Sequence, residues 1–303
     1  MPAGQVPEER SRPPRPHALH RYGQNHLVDR NVLRAILQLA AVTADDVVLE
    51  VGAADGQLTR PVLAQARFVH AFEIDRRYSA RLERLAAEHA DLRVYEGDAL
   101  KSDLTILEPP PTALVANLAY NIAIPLIMTT IATLPSIERW AVMVQRELAE
   151  RLFAVPSTKA YSAVSVLVQL ACRKVDARPV SAAAFRPRPK VESTFITFAR
   201  RRAEGAAAPA DDAVALSAAE YHAMDRLVRL AFGQRRKVLT NTLAGAAYGG
   251  VTLSRETVRG ALDALGLAAA ARPEELAPPQ WVDFARRAGW LQPRPAAGGL
   301  SRD

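Results

Sequence analysis

The stretch Val47-Val-Leu-Glu-Val-Gly-Ala-Ala-Asp-Gly56 decides the fold. A short apolar run that leads directly into a glycine-containing turn is typical of the first strand of a parallel α/β sheet. Gly52 ends the run, and a glycine there lets a ligand approach the backbone closely. The helix that follows points its free N–H groups into the same crevice. The stretch therefore predicts a ligand site at one edge of a sheet.

Strands and helices alternate on both sides of this stretch. Further strands are predicted at 68–74, 92–96, 113–117 and 140–145, and helices at 76–88, 122–133 and 146–154. Another helix begins after Asp29, which is a suitable N-cap. Strands separated by helices of this length predict βαβ units and a mostly parallel sheet. A late strand over 191–199 is expected as an antiparallel edge.

A change in composition divides the chain into parts. Residues 200–216 are rich in charge, Ala, Gly and Pro, which predicts a linker between a domain at 22–199 and one at 217–291. The second domain is predicted to be small and all-α, with helices at 217–232, 236–244, 255–265 and 279–288. A basic disordered arm at 1–21 and a disordered tail at 292–303 complete the expected organisation.

Composition narrows the classes of function. The 303 residues contain 39 Lys and Arg against 32 Asp and Glu, a net charge of +7 that favours a polyanionic partner. The single cysteine, Cys172, excludes an intramolecular disulfide framework and predicts an inert buried thiol. The six histidines are scattered away from metal-ligand spacing, so no metal is expected. Neither a G-x-S-x-G motif nor a P-loop is present, which disfavours hydrolases and NTPases.

The amino-terminal segment has no apolar core of the secretory type, and the chain has no apolar run long enough to span a membrane. A cytoplasmic protein without a membrane partner is therefore expected.

Two acids follow the glycine turn at the spacing of an adenosine site. Glu73 ends the second strand, where a carboxylate can accept hydrogen bonds from both ribose hydroxyls. Asp98 follows the third strand, where it can meet an adenine edge. The dinucleotide fingerprint G-x-G-x-x-G is absent, so S-adenosylmethionine, which has no pyrophosphate, is favoured over a nicotinamide cofactor. The alternative is that the glycine serves only a tight turn.

The fourth strand ends in Asn117-Leu118-Ala119-Tyr120, again at the carboxyl edge of the sheet. The side-chain oxygen of Asn117 and the carbonyl of Leu118 can accept hydrogen bonds from the exocyclic amine of an adenine. Tyr120 can stack on a base extruded from its helix. This motif therefore favours methylation of an exocyclic amine.

With these motifs in view, the chain resembles the ribosomal RNA adenine N6-dimethyltransferases, most closely the small-subunit group. The resemblance covers about residues 20 to 290. The segments that carry it are YGQNHLVD (22–29), the turn at 50–59, FEID (72–75), EGDAL (96–100), NLAYNI (117–122), MVQRELAERL (143–152), 159–169, FRPRPKVES (185–193) and FGQRRKVLTNTL (232–243).

The resemblance implies a role for each matching residue. Cofactor binding would fall to Asn25, Leu27, Gly52, Glu73, Asp98 and Asn117. Phe185 would form the wall of the target-base pocket opposite Tyr120, and catalysis would rest on these two rings with Asn117 and Leu118. The family adds two methyl groups to each of two adjacent adenosines near the 3′ end of 16S rRNA, using four S-adenosylmethionine molecules. The domain at 22–199 would then be catalytic, and the helical domain would bind RNA.

Three positions depart from the family. Ala119 stands where the family usually has Pro, Ala54 where it has Gly, and His26 where it has Phe. None of these changes removes a hydrogen-bonding group that the reaction needs.

Two basic clusters are candidate phosphate contacts. Arg186, Arg188 and Lys190 flank the predicted base pocket, and Arg235, Arg236 and Lys237 lie in the helical domain. The second cluster is also compatible with a solvated helix face. The implied partner is small-subunit rRNA within the immature 30S subunit, bound by a monomer.

Two alternatives remain open. One is a large-subunit (23S) rRNA adenine methyltransferase that confers antibiotic resistance, since that group shares the amino-terminal motifs. The other is a small-subunit assembly factor that no longer methylates, which the changes at Ala54 and Ala119 keep in consideration. A DNA adenine methyltransferase is disfavoured because its motif usually has paired prolines before the aromatic residue.

Overall fold

A computed structural model describes residues 25–201 and 216–291. Its strands are β1 (His26–Leu27), β2 (Val47–Val51), β3 (Phe68–Glu73), β4 (Leu92–Glu96), β5 (Ala113–Asn117), β6 (Arg139–Gln145), β7 (Cys172–Val180), β8 (Phe185–Arg186), β9 (Ser193–Arg200), β10 (Ala247–Tyr248) and β11 (Val251–Thr252). Its α-helices are α1 (Arg30–Ala40), α2 (Thr59–Leu63), α3 (Ser79–Glu88), α4 (Ala123–Thr133), α5 (Arg146–Leu152), α6 (Ala163–Ala171), α7 (Ala218–Phe232), α8 (Leu239–Thr242), α9 (Arg255–Asp263) and α10 (Pro278–Arg287).

Seven of the strands form one sheet in the order β4-β3-β2-β5-β6-β9-β7. The first five are parallel, whereas β9 runs antiparallel to both β6 and β7. The strand order reverses between β2 and β5, and ligands bind such sheets at the carboxyl ends of the strands beside this switch point. The predicted Rossmann-like α/β fold is therefore confirmed.

The β9–β7 side of the sheet differs from what the sequence predicts. The strand expected at 191–199 is antiparallel, but it lies inside the sheet because β7 covers it and forms the edge. Neither β7 nor α6 was predicted. β7 alternates poorly because most of its side chains are exposed. The sequence of α6, AVSVLVQLA, is apolar almost throughout because the sheet side and α7 both cover it.

The carboxyl-terminal part is helical and packs directly on the α/β part. α7 begins at the N-cap Ser217, whose hydroxyl accepts from Glu220 N while the Glu220 carboxylate accepts from Ser217 N. Helices α7 and α10 contact α6, so the two parts share one apolar core that includes Trp281 and Phe284. The small β10–β11 hairpin was not predicted, and the helix expected at 236–244 is limited to α8.

Three predicted segments lie wholly or mostly outside the residues that the structure describes. The arm at 1–21, the tail at 292–303 and most of the linker at 200–216 lie outside the described residues. The division into two domains therefore remains a prediction. Within the described part of the chain, no helix is both long enough and apolar enough to cross a membrane.

Candidate active site

A cleft of about 280 Å³ opens at the carboxyl ends of the parallel strands. It is lined by one predicted residue from the end of each of four successive strands of the chain: Gly52, Glu73, Asp98 and Asn117. Asn25, from the segment before β1, completes the lining on one side. The parallel topology therefore brings together residues that are up to 92 positions apart in sequence.

The glycine turn places two residues in the left-handed backbone region. Gly52 has φ +86°, and a β-carbon added there would lie 3.7 Å from the carbonyl oxygen of Asn117. Ala54 has φ +49°, a conformation that costs a residue with a side chain about 1–2 kcal/mol. The Ala54 N–H donates to Glu73 Oε2 at 2.7 Å, which helps to hold this conformation. The turn therefore keeps its shape although Ala54 replaces the usual glycine.

Glu73 is buried at the centre of the cleft, with a relative exposure of 6%. Its Oε2 accepts from Ala54 N, and its Oε1 accepts from Asp75 N at 2.8 Å. Burial raises the pKa of this carboxyl, and the nearby charge of Asp75 adds to the effect. Each carboxylate oxygen has a second lone pair, so both can still accept from the two hydroxyls of a ribose. Their backbone donors fix the carboxylate in place for that task.

The Asp98 end of the cleft combines an acid with apolar side chains. Asp98 Oδ1 accepts from Leu100 N at 3.0 Å, which orients the carboxylate at the cleft rim. Phe72 and Ile74 flank Glu73 in the lining, and Ile74 is 42% exposed. Neither residue was predicted from the sequence to belong to the site. An exposed apolar residue directly after a site acid, as Ile74 follows Glu73, could have indicated it. Together they can cover the faces of a purine ring.

Glu50 was also missed by the sequence analysis. It is 1% exposed on β2 and lines a cavity of about 50 Å³ that adjoins the main cleft. Its Oε2 has no hydrogen-bond partner among the described residues. Burial raises the pKa of the Glu50 carboxyl to about 8, and the charges of Glu73 and Asp55 contribute. The carboxyl is therefore mostly protonated at neutral pH.

We expect Glu50→Gln to change how stability depends on pH. The folded protein holds a proton on Glu50 up to about pH 8, whereas the unfolded chain releases it near pH 4.5. The wild type should therefore lose stability as pH rises between these values, by up to about 1.4 kcal/mol per pH unit. Denaturant unfolding at pH 5 to 9 should show a flatter profile for Glu50→Gln. An unchanged slope would contradict the pKa assignment, and exposed Glu96→Gln is the matched control.

The Asn117 amide is held in one orientation. Its Nδ2 donates to the backbone carbonyl of Asn25 at 3.0 Å, which directs Oδ1 away from that carbonyl. Leu118, the next residue, is buried and lines the cleft. Ala119 O accepts from Ile122 N at 3.1 Å, so the turn before α4 closes without the proline usual in the family. The motif keeps the acceptor that the sequence analysis required.

Two aromatic residues flank the Asn117 end of the cleft. Tyr120 is half-buried, and its hydroxyl lies 3.2 Å from Ser193 Oγ. Phe185 lies in β8 and pairs with Leu27 of β1. Both residues line the cleft, so the structure brings together the two residues predicted to hold the target base, although the Phe185 side chain is only 2% exposed. Leu27 itself is buried beneath the cleft and lines only the smaller cavity beside Glu50.

The predicted basic residues have different surroundings. Arg186, Arg188 and Lys190 are exposed next to Phe185, and Arg236 and Lys237 are exposed after α7. The Arg186 guanidinium donates to the nearby carbonyls of Ala183 and Phe185, whereas that of Arg235 is held by residues distant in sequence. Arg235 donates to Glu274, to Lys159 O at 2.9 Å and to Thr158 O at 2.8 Å. These contacts disfavour the predicted role of Arg235 in phosphate contact, because its donors join the segment after α7 to Glu274 and to the loop before α6.

Residues 25–201 and 216–291 contain no group of three or more side chains suited to holding a metal ion.

Comparisons with known proteins agree with this geometry. The family model described as "Ribosomal RNA adenine dimethylase" matches residues 17–260. A protein of Rubrobacter xylanophilus named "Ribosomal RNA small subunit methyltransferase A" is 40% identical, over 93% of this chain and 98% of its own length. A protein of the same name from Thermobifida fusca is 38% identical, over 87% of each chain.

Solved structures give the same fold. A dimethyladenosine transferase from Plasmodium falciparum superposes with a TM-score of 0.70 at 23% identity, over 87% of this chain and 98% of its own. The 23S rRNA methyltransferase ErmE superposes with a TM-score of 0.63 at 27% identity, over 87% of this chain and 99% of its own. With a family model that spans most of the sequence and relatives that match it along nearly their whole length, the chain belongs to the ribosomal RNA adenine dimethylase family.

Proposed function

We propose that this protein dimethylates N6 of two adjacent adenosines near the 3′ end of small-subunit (16S) rRNA, using S-adenosylmethionine, during assembly of the 30S subunit. The observation that carries the proposal is the oriented amide of Asn117, which shares one cleft with Tyr120, Phe185 and the acids Glu73 and Asp98. An acceptor beside two aromatic rings suits a flipped adenine.

The cleft has the chemistry needed for this cofactor. Glu73 offers acceptors to the ribose hydroxyls, and Asp98 offers one to the adenine amine. The carboxylates around the cleft favour a positively charged ligand, and the protonated Glu50 beside it adds no charge of its own. S-adenosylmethionine would supply a methyl group bound to a positively charged sulfur.

The chain's own residues would activate the target amine by orientation. Asn117 Oδ1 and the Leu118 carbonyl would accept its two N–H groups and so aim the nitrogen lone pair into the cleft. Positive charge develops on that nitrogen as the methyl group arrives, and the two oxygens would stabilise it. A strong base would not be needed before the transfer, because the proton becomes acidic only as the new N–C bond forms, and it would then leave to solvent water at the open cleft.

Tyr120 and Phe185 would hold the adenine by stacking. The Tyr120 hydroxyl lies close to Ser193, a buried residue at the start of β9, and this contact limits rotation of the ring. Pairing between β1 and β8 limits the movement of Phe185. Stacking is worth about 1–3 kcal/mol per base, which offsets much of the cost of flipping.

Exposed cations outside the cleft would contact the rRNA backbone. Arg186, Arg188 and Lys190 lie beside the base pocket, and Arg236 and Lys237 extend the basic surface to the helical part. The acids lie inside the cleft, where the cofactor would sit. This division of charge suits a cationic cofactor inside and a polyanion outside.

The two parts of the helical basic cluster are expected to respond differently to mutation. Arg236→Ala/Lys237→Ala should keep its melting temperature and lose affinity for small subunits. Its log–log salt slope should flatten by about 0.7–0.9 for each lost phosphate contact. Arg235→Ala should instead lose about 1–2 kcal/mol of stability, since Glu274 and two carbonyls lose a charged donor.

Filter binding at several salt concentrations and thermal melting separate these effects. A wild-type salt slope in the Arg236/Lys237 variant would remove both residues from the proposed interface. An unchanged melting temperature in Arg235→Ala would contradict its joining role.

The large-subunit alternative is less favoured by the relatives. The curated proteins at 38–40% identity carry the small-subunit name, whereas ErmE is 27% identical. The non-catalytic alternative is disfavoured because the turns at Ala54 and Ala119 form and Asn117 keeps its acceptor.

Methyl transfer with labelled S-adenosylmethionine tests the proposal. The purified protein should transfer about four methyl groups to each undermethylated small subunit and none to large subunits. Transfer to large-subunit RNA alone would contradict it. We also propose that the protein acts in the cytoplasm as a monomer, and light scattering of the purified protein tests the second point.

A further inference from the structure

A short segment at residues 25–28, here called the N-terminal strap, lies beside the cleft, which Asn25 and His26 help to line. It contains β1, which pairs antiparallel with β8, so that His26 faces Arg186 and Leu27 faces Phe185. The N–H of Val28 donates to Ala184 O at 2.8 Å. The strap is therefore joined to the strand that carries one wall of the base pocket.

The strap also contacts the amide at the reaction centre. The Asn25 carbonyl accepts from Asn117 Nδ2 at 3.0 Å. A flipped amide would lose this hydrogen bond and set two oxygens against each other. The position of the Asn25 carbonyl therefore selects the orientation in which Asn117 Oδ1 remains available to the target amine.

The side chain of the next residue anchors the strap to the body of the protein. His26 Nε2 lies 3.0 Å from the hydroxyl of Tyr78, and the two rings meet edge to face at 5.9 Å. Tyr78 is fully buried, so its hydroxyl is a fixed point. The phenylalanine usual in the family at this position has no group that can make this hydrogen bond.

We propose that His26 is a positioning residue for methyl transfer in this protein. Its hydrogen bond to Tyr78 fixes the strap, and the Asn25 carbonyl of the strap holds the Asn117 amide in its productive orientation. This inference rests on the proposed methyltransferase function. It adds that His26, which lies outside the N-L-A-Y motif, affects the position of the Asn117 amide through the Asn25 carbonyl.

Tyr78→Phe is the smallest change that tests this route, because it removes one hydroxyl and keeps the ring. We expect kcat to fall about five-fold, the factor expected for a hydrogen bond of about 1 kcal/mol. His26→Phe should give a similar loss, and the double variant should be no slower than either single one. His26→Phe also keeps the test possible if Tyr78→Phe fails to fold.

Tyr95→Phe is the matched control. It removes a similar tyrosine–histidine hydrogen bond, in which the Tyr95 hydroxyl lies 2.9 Å from His70 Nδ1, at a place away from the strap. Its stability should fall as in Tyr78→Phe, while kcat stays at the wild-type value. Equal losses of kcat in the two variants would show a general effect of stability and overturn the proposal.

A cycle with Asn117→Ala completes the experiment. If His26 acts through the amide, Tyr78→Phe should not lower the residual turnover of Asn117→Ala further. A full five-fold additional loss would mean that the strap acts by another route and would overturn the proposal. Failure of the wild type to methylate small subunits would instead overturn the proposed function, so the two failures are distinguishable.

Discussion

Asn117→Ala is expected to lower kcat for methyl transfer by about 10²–10³-fold, the loss typical of removing one preorganised group at a reaction centre. The amide has two tasks: its Oδ1 would accept from the target amine, and its Nδ2 donates to the Asn25 carbonyl. Affinity for the small subunit should change little, because the phosphate contacts are proposed to lie with the exposed cations and not with the amide. Single-turnover methyl transfer and filter binding measure the two effects separately.

Asn241→Ala is the control for this prediction. It removes an exposed amide from α8 in the helical part of the protein and should leave turnover unchanged. Equal losses of binding and turnover in Asn117→Ala would mean that the amide holds the RNA rather than aims the amine.

Glu73→Ala is expected to weaken S-adenosylmethionine binding by at least 10²-fold. Two ribose hydroxyls would lose charge-assisted acceptors, each worth about 1.5–3 kcal/mol. The Ala54 N–H would also lose its acceptor, so the strained turn would lose support. Glu73→Gln keeps one acceptor oxygen without the charge and should lie between the wild type and the alanine variant. Isothermal calorimetry measures all three affinities.

Glu96 provides a close control, because it pairs in register with Glu73 on the adjacent strand β4. Its exposed carboxylate contacts Ser79 and Arg76 and lies outside the cleft lining. Glu96→Ala should therefore bind the cofactor normally. If Glu73→Ala also bound it normally, Glu73 would not belong to the site.

The parallel part of the fold was predictable because the same pattern, a buried strand followed by a helix, repeats along the chain. Each of these strands ends at or just before a residue for which the sequence predicts a chemical role, as at Gly52, Glu73 and Asn117, and parallel topology brings those ends together. The antiparallel side was less predictable. The exposed edge strand β7 lacks alternation, and α6 is covered on more than one side, so neither has a clear period.

Contacts between distant residues were the least predictable part of the site. Nothing in the local sequence indicates that Asn25 O meets Asn117 Nδ2 across 92 positions, or that His26 meets Tyr78. Arg235 stands directly before two exposed cations, Arg236 and Lys237, in the sequence, yet its guanidinium contacts Glu274. Such roles depend on which elements pack together, and this information is not contained in a residue's immediate neighbours.

The most direct test of the account is mass spectrometry of small-subunit rRNA fragments from a strain that lacks this protein. We expect two adjacent unmodified adenosines near the 3′ end in this strain. They should become N6,N6-dimethyladenosines when the wild-type protein is restored. They should remain unmodified when the Asn117→Ala variant is supplied instead. Full dimethylation in the strain without the protein, or a loss of methyl groups only from large-subunit RNA, would contradict it.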